Sequence, residues 1–365
     1  MLAKLAGHIR RGFQQPIHLE PIPGVQMDRN QDLQSIVHKD LLAEIRRIDG
    51  GFKCTYVPFG SSQGKGHSKV SYNIFLYGIR DTARATVFAQ YVVSWLYAAH
   101  AAFRLQPCSP NQEFHLFLSV ENKKELPNVR AATVGEHHVN SAFTYRCSPD
   151  RPVNQCFIYR SEEWFKVFIH ESIHALGMDF SSGPTETAIL ESCFPIRKKM
   201  GEYRIEESFV ETWAELVYLW YYSEAPLREG PPRGQTVKQN NVFDDALKVE
   251  RRFAIYQVAK LLKHFGMDVD DINTKEWTRW SESSSVFAYY FARMLALNDP
   301  EFMDRWPLPF VSGSNRPTKY ARYVCDLYRQ NFPKEELRAF MRGPKNANLE
   351  KTARMVVHDI EVLRC

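Results

Sequence analysis

Apolar and polar positions alternate with period two through Lys53–Pro58 and Lys69–Gly78, which predicts two strands. The Gly- and Ser-rich link between them, residues 60–68, predicts a hairpin loop. The most apolar stretch, Thr86–Leu105, is interrupted by Gln90, Ser94 and His100. A membrane span calls for a cleaner run, so a buried core helix from about Thr82 to Arg104 is expected. Phe114–Val120, Val139–Tyr145 and Gln155–Tyr159 read as further strands, with a turn at residues 148–152 between the last two.

From Ser161 the period changes to about 3.6. Ser161 is the expected N-cap, Glu162 and Glu163 suit the positive end of the helix dipole, and Gly177 is the expected stop. A loop of about 25 residues should follow, then a second helix over about Glu202–Tyr222. The run PLREGPPRGQT, residues 226–236, reads as a linker. Beyond it the pattern is helical at about 243–265, 283–297, 317–331 and 348–363. The order predicts an α+β chain of two lobes. An N-terminal segment, 1–50, leads into a core, 51–223, that carries a mixed sheet and the site helices. A helical C-terminal lobe, 241–365, completes it.

The chain has 365 residues, 44% of them hydrophobic and 13% aromatic, enough to build a substantial core. Its formal charge of +5 is spread over small clusters, so no nucleic-acid partner is expected. Seven cysteines form no CxxC pair, which predicts reduced thiols in a reducing compartment, such as cytoplasm, and no disulfide framework. The basic, acid-free N-terminus lacks a secretory h-region, and prolines follow it closely, so a surface helix is favoured over a mitochondrial presequence.

The chemistry centres on His170-Glu171-Ser172-Ile173-His174 within FIHESIHALG. Two histidines four apart on a helix differ by about 40° in azimuth, so both imidazoles leave one face and can take two corners of a tetrahedral zinc. Glu171, beside the first ligand, is the expected general base toward water at the metal. The flanks are apolar, and buried imidazoles and carboxylates need partners. A catalytic site also needs a third ligand and an open position. The segment YRIEESFVETWAEL offers Glu207, Glu211 and Glu215 at four-residue spacing. Glu207 as ligand with Glu211 behind it is preferred, and Glu211 as ligand backed by Glu215 also fits. The longer motif HExxHxxGxxH fails here, because its third-ligand position is Phe180.

These motifs resemble the gluzincin zinc peptidases: HExxH, an intervening loop, then a glutamate on a helix. The resemblance implies a zincin-like fold, one Zn(2+) per chain and a peptide or protein substrate. VNSAFTY is similar to the Asn-Ala-Phe run on the edge strand of thermolysin-like enzymes, which implies that Asn140, Ser141 and Ala142 line a substrate cleft. The family's usual oxyanion histidine has no counterpart; some members use a tyrosine, for which Tyr289 and Tyr290 are candidates. Glu206 stands where the thermolysin type has Asn. Residues 115–297 also look like uncharacterised HExxH proteins of large DNA viruses of protists, which would imply a viral protein in host cytoplasm or a virion. The expected activity is that of a zinc metallopeptidase. The alternatives are an inert virion or interaction protein that keeps the zincin fold, and a zinc hydrolase of non-peptide substrates.

Overall fold

A computed structural model describes the chain except for residues 1, 26–30, 59–69, 104, 106–108, 149, 197–202, 230–238, 274–276, 311–314, 344–346, 361–362 and 364–365. The architecture is α+β. The chain divides into two compact units.

The first unit, Met1–Lys123, Ser141–Met178 and Asp359–Cys365, is built on six strands. These are β1 (Leu19–Pro23), β2 (Gly50–Tyr56), β3 (Ser71–Tyr77), β4 (Asn111–Phe117), β5 (Ala142–Thr144) and β6 (Val153–Ile158). Their order is β1-β2-β3-β4-β6-β5. The pairs β3–β4 and β4–β6 are parallel, whereas β5 closes the edge antiparallel to β6. The helix Thr82–Ala102 joins the parallel pair β3 and β4, as such a connection requires. Its middle is buried, including every position from Tyr91 to Leu96, as the apolar run predicted, whereas Thr82–Arg84 and Ala101 are exposed. No helix among the described residues is long and apolar enough to cross a membrane.

Alternation puts Tyr72, Ile74 and Leu76 on one face and Phe75 and Tyr77 on the other. On the second face Phe75, His115, Phe157 and Phe143 are in register across β3, β4, β6 and β5. Their rings stack at 4.6, 4.7 and 4.9 Å, so cross-strand aromatic pairs staple the sheet to its edge. Short helices at Gln31–Ile36 and Lys39–Ile45 cover part of this face through Leu33, Leu41, Leu42 and Ile45. The N-terminal helix, Leu2–Gly12, lies against the helix Thr82–Ala102. A Cβ at Gly12 would fall 2.6 Å from the Ser94 backbone, so only glycine permits that approach.

The second unit, Lys124–Asn140 and Asp179–His358, is mainly helical. Its main helices are Pro184–Cys193, Glu206–Glu229, Gln239–Phe265 and Arg316–Asn331, together with a π-helical turn, Phe287–Ala292, that runs into Arg293–Asn298.

Several expectations are corrected. The stretch before the second site helix contains the helix Pro184–Cys193, started by Pro at its first position and by the Glu186 carboxylate accepting from Gly183 N–H. Helix formation at 348–363 stops at Glu350. Residues 351–360 instead form a strap whose backbone groups are satisfied by buried side chains, not by helical bonds. Lys260 donates to the Leu349 and Thr352 carbonyls, Tyr290 to Ala353, Gln257 to Arg354 and Arg293 to Met355. Glu250 accepts from the N–H groups of Val357 and His358. The expectation of reduced thiols also fails: Cys193 and Cys325 form a disulfide, with Cα atoms 6.1 Å apart, and Cys147 is disulfide-bonded too. Pairing across 132 residues leaves no spacing signal. Cys54 and Cys156 are buried free thiols. The expected loop 60–68 lies outside the described residues. Of the expected linker 226–236, residues 226–229 continue a helix and 230–236 lie outside them.

Candidate metal centre

The motif helix runs Trp164–Ala175 and every residue in it is buried. Its packing explains that. Phe168 meets Phe114 of β4 edge-on at 5.1 Å, while Trp164 and Phe165 meet Phe88 and Tyr91 of the core helix at 5.2 and 5.3 Å. Trp95 Nε1 donates to Ser172 Oγ at 2.6 Å, and that hydroxyl donates to the Ile169 carbonyl. The serine inside the motif therefore locks the helix rotation that aims its two neighbouring histidines.

The start of this helix differs from expectation. Ser161 gives both its hydroxyl and its N–H to the Val120 carbonyl, tying the segment to the chain three residues beyond β4. Glu163, with φ +57°, becomes the N-cap. A left-handed glutamate there is unfavourable and is held by its surroundings. The stop is as predicted. Gly177 has φ +64°, its N–H bonds to the His174 carbonyl, and Met178 N–H bonds to Ile173, which is a Schellman termination. Cys147 N–H, beyond the edge strand, also bonds to the His174 carbonyl.

His170 Nε2 and His174 Nε2 lie 3.3 Å apart. Two nitrogens bound tetrahedrally to zinc at about 2.0–2.1 Å would be separated by about 3.3–3.4 Å, so the pair has the spacing of two zinc ligands. Glu207 completes the group: its carboxylate and the two imidazoles each offer an atom, all within 4.8 Å of one another, and all three residues are buried. Two imidazoles and one carboxylate are a donor set that suits zinc.

Glu207 stands in the first turn of the helix Glu206–Glu229, where a carboxylate is favoured by the dipole. Glu211 and Glu215 are buried on the same helix. Glu215 is engaged by Arg293 in an ion pair with both side chains fully buried, and Arg293 also bonds the strap at Met355. That pairing accounts for Glu215 without the metal.

Glu171 is buried beside His170. Its charge reaches Cys156 on β6, whose thiol is pushed well above the ordinary range, first by burial and then by that carboxylate. Cys156 is thus held as a neutral thiol in the wall near the motif. The sequence carried no spacing that would single it out.

Asn140 accepts a hydrogen bond at Oδ1 from Ser284 Oγ at 2.9 Å. The Ser141 carbonyl accepts from Tyr159 N–H, and Ala142 opens β5 opposite Ile158. The strand expected over Val139–Tyr145 is shorter, because Glu136–Val139 makes a helical turn in which His138 Nδ1 accepts from Gly135 N–H. Tyr290 is buried and its hydroxyl donates a hydrogen bond to the Ala353 carbonyl of the strap. Tyr289 lies half-buried on the π-helical turn, a feature that recurs at functional sites. Phe180 is core, its ring tilted against that of Phe310 with centroids 4.2 Å apart.

No protein-family model, no curated protein and no solved structure matches this chain.

Proposed function

We propose that the chain is a zinc-dependent metallopeptidase of gluzincin type with a zincin-like fold. The observation that carries this reading is the approach of His170, His174 and Glu207 to within ligand distance of one another, with the histidine nitrogens at zinc-ligand spacing. Zinc held by these residues would supply a Lewis acid that lowers the pKa of water and polarises a carbonyl. Glu171, next to His170 in the motif, would take a proton from water as its oxygen forms the new C–O bond, then hand that proton to the leaving amine as the C–N bond breaks. A purely structural zinc needs no base beside its ligand, so Glu171 favours catalysis over a closed structural site. The short edge strand β5, antiparallel to its neighbour β6, supports an extended substrate, because an unpartnered edge offers hydrogen bonds at the peptide repeat. Asn140, Ser141 and Ala142 lead into it. Tyr289 and Tyr290 are the candidates for donation to the developing oxyanion, with Tyr289 the less buried of the two.

Elemental analysis of the purified chain should find one zinc per chain. Peptide-library digestion should show hydrolysis that a chelator abolishes and zinc restores. A chain that stays free of zinc after reconstitution would end this reading. Zinc without cleavage of any peptide would point to an inert fold or a different substrate class.

A further inference from the structure

The first turn of the glutamate helix carries two adjacent carboxylates, Glu206 and Glu207, both almost entirely removed from water. Buried carboxylates are costly unless paired and hydrogen-bonded. One side chain reaches both. Arg204 places Nη2 at 2.7 Å from Glu207 Oε1 and Nε at 3.6 Å from Glu206 Oε1. The other oxygen of Glu206 accepts from Ser182 Oγ, whose hydroxyl also reaches the Tyr203 carbonyl at 3.0 Å. Ser182, Glu206, Arg204 and Glu207 therefore form one connected chain of polar groups. The guanidinium thereby fixes one oxygen of the same carboxylate that groups with His170 and His174. Glu206, the residue that departs from the thermolysin-type asparagine, is what anchors the arginine from its far side.

Resting on the zinc-site reading above, we infer that Arg204 is a positioning residue that preorganises Glu207 for the metal. Two effects oppose each other. The arginine charge repels a divalent cation, but its side chain is 45% exposed and that repulsion is screened by solvent. The contact to Glu207 is short, directional and made to a carboxylate that is only 3% exposed, so orientation outweighs repulsion. A lysine cannot substitute, because a single ammonium does not span two carboxylates as a planar guanidinium does.

The experiment is chelator-competition titration of zinc into the full chain for wild type, Arg204→Ala, Arg204→Lys and Glu206→Gln, with thermal melts on each. Arg204→Ala should weaken zinc about 10- to 100-fold, the usual effect of losing a group that orients a metal ligand. Arg204→Lys should not restore it, and Glu206→Gln, which keeps a hydrogen-bond acceptor for Arg204, should lose less. If Arg204→Ala does not fold, Arg204→Gln reads the same loss. Zinc affinity unchanged or tighter in the alanine or glutamine variant, or full rescue by lysine, would overturn the inference while leaving the zinc site standing. A wild type that takes up no zinc would remove the site reading and the inference together.

Discussion

Truncating Glu215 tests whether the third glutamate of the series belongs to the metal or to the fold. Its carboxylate pairs with Arg293, and neither side chain has any exposed surface. Arginine cannot shed its charge in a protein. Glu215→Ala therefore leaves a guanidinium in a dry interior with one bond to the Met355 carbonyl and its principal counter-charge gone. Breaking a buried pair from one side costs about 3–5 kcal/mol. Removing both charges behaves differently. Hydrophobic replacement of a whole buried pair is often neutral, so Glu215→Leu with Arg293→Met should recover most of the loss. The residual deficit should be about 1–3 kcal/mol, for the Met355 carbonyl left without its donor. Urea unfolding of wild type, both single variants and the double variant measures this coupling, with zinc content read on the same samples in buffer. The single variants should be strongly destabilised, and Glu215→Ala should still carry zinc. A loss in Glu215→Ala below about 1 kcal/mol would show that the pair is solvated and the reasoning wrong. Full stability with loss of zinc would give Glu215 to the metal after all.

Glu207→Ala should lose the bound zinc and Glu211→Ala should retain it by elemental analysis; the reverse result would move the third ligand one turn along the helix. Glu171→Gln should keep zinc at wild-type stoichiometry and lose peptide hydrolysis by about 100-fold or more, as removal of a general base does. Reducing the Cys193–Cys325 bond, or Cys193→Ser, should lower the denaturation midpoint. The chain-entropy limit for a loop of 132 residues is roughly 5 kcal/mol, and an unchanged midpoint would refute a stabilising role. Burial lowers the His100 pKa from 6.5 to about 4, and its ring is bonded to the buried Tyr72 hydroxyl. Its folded pKa lies below the unfolded one, so its contribution is present above pH 6.5 and is lost as pH falls toward 4. Relative to wild type, His100→Gln should show a flatter fall in stability over that window, and parallel curves would disprove it.

The motif helix was legible because its signal is local. Apolar flanks, a histidine pair at helical spacing and a glycine stop all lie within residues 164–177, and each follows from the geometry of a single turn. The core helix Thr82–Ala102 and strands β2, β3 and β4 were legible for the same reason, since burial on one or both sides leaves a periodic trace. The strap at 351–360 misread as helix because its residues carry helix-compatible periodicity. Its real partners, Glu250, Gln257, Lys260, Tyr290 and Arg293, lie 62 to 108 residues away. The start of the motif helix was misplaced by two residues because a distant carbonyl, Val120, claims the serine that would otherwise cap it.

By itself the sequence determined the chemical types available for the site and the two histidines that share a face, because both are properties of one helix. It preferred Glu207 as ligand with Glu211 behind it but kept Glu211 backed by Glu215 as an alternative, since a four-residue spacing repeats along a helix without distinguishing its turns. Tertiary structure sets them in different surroundings. Glu207 belongs to the group with His170 and His174 that could hold a metal ion, Glu215 pairs with Arg293, and Tyr290 donates to the strap. Tertiary structure also joins Cys193 to Cys325. Each of those outcomes depends on which distant group arrives beside a side chain, and local periodicity carries no record of that.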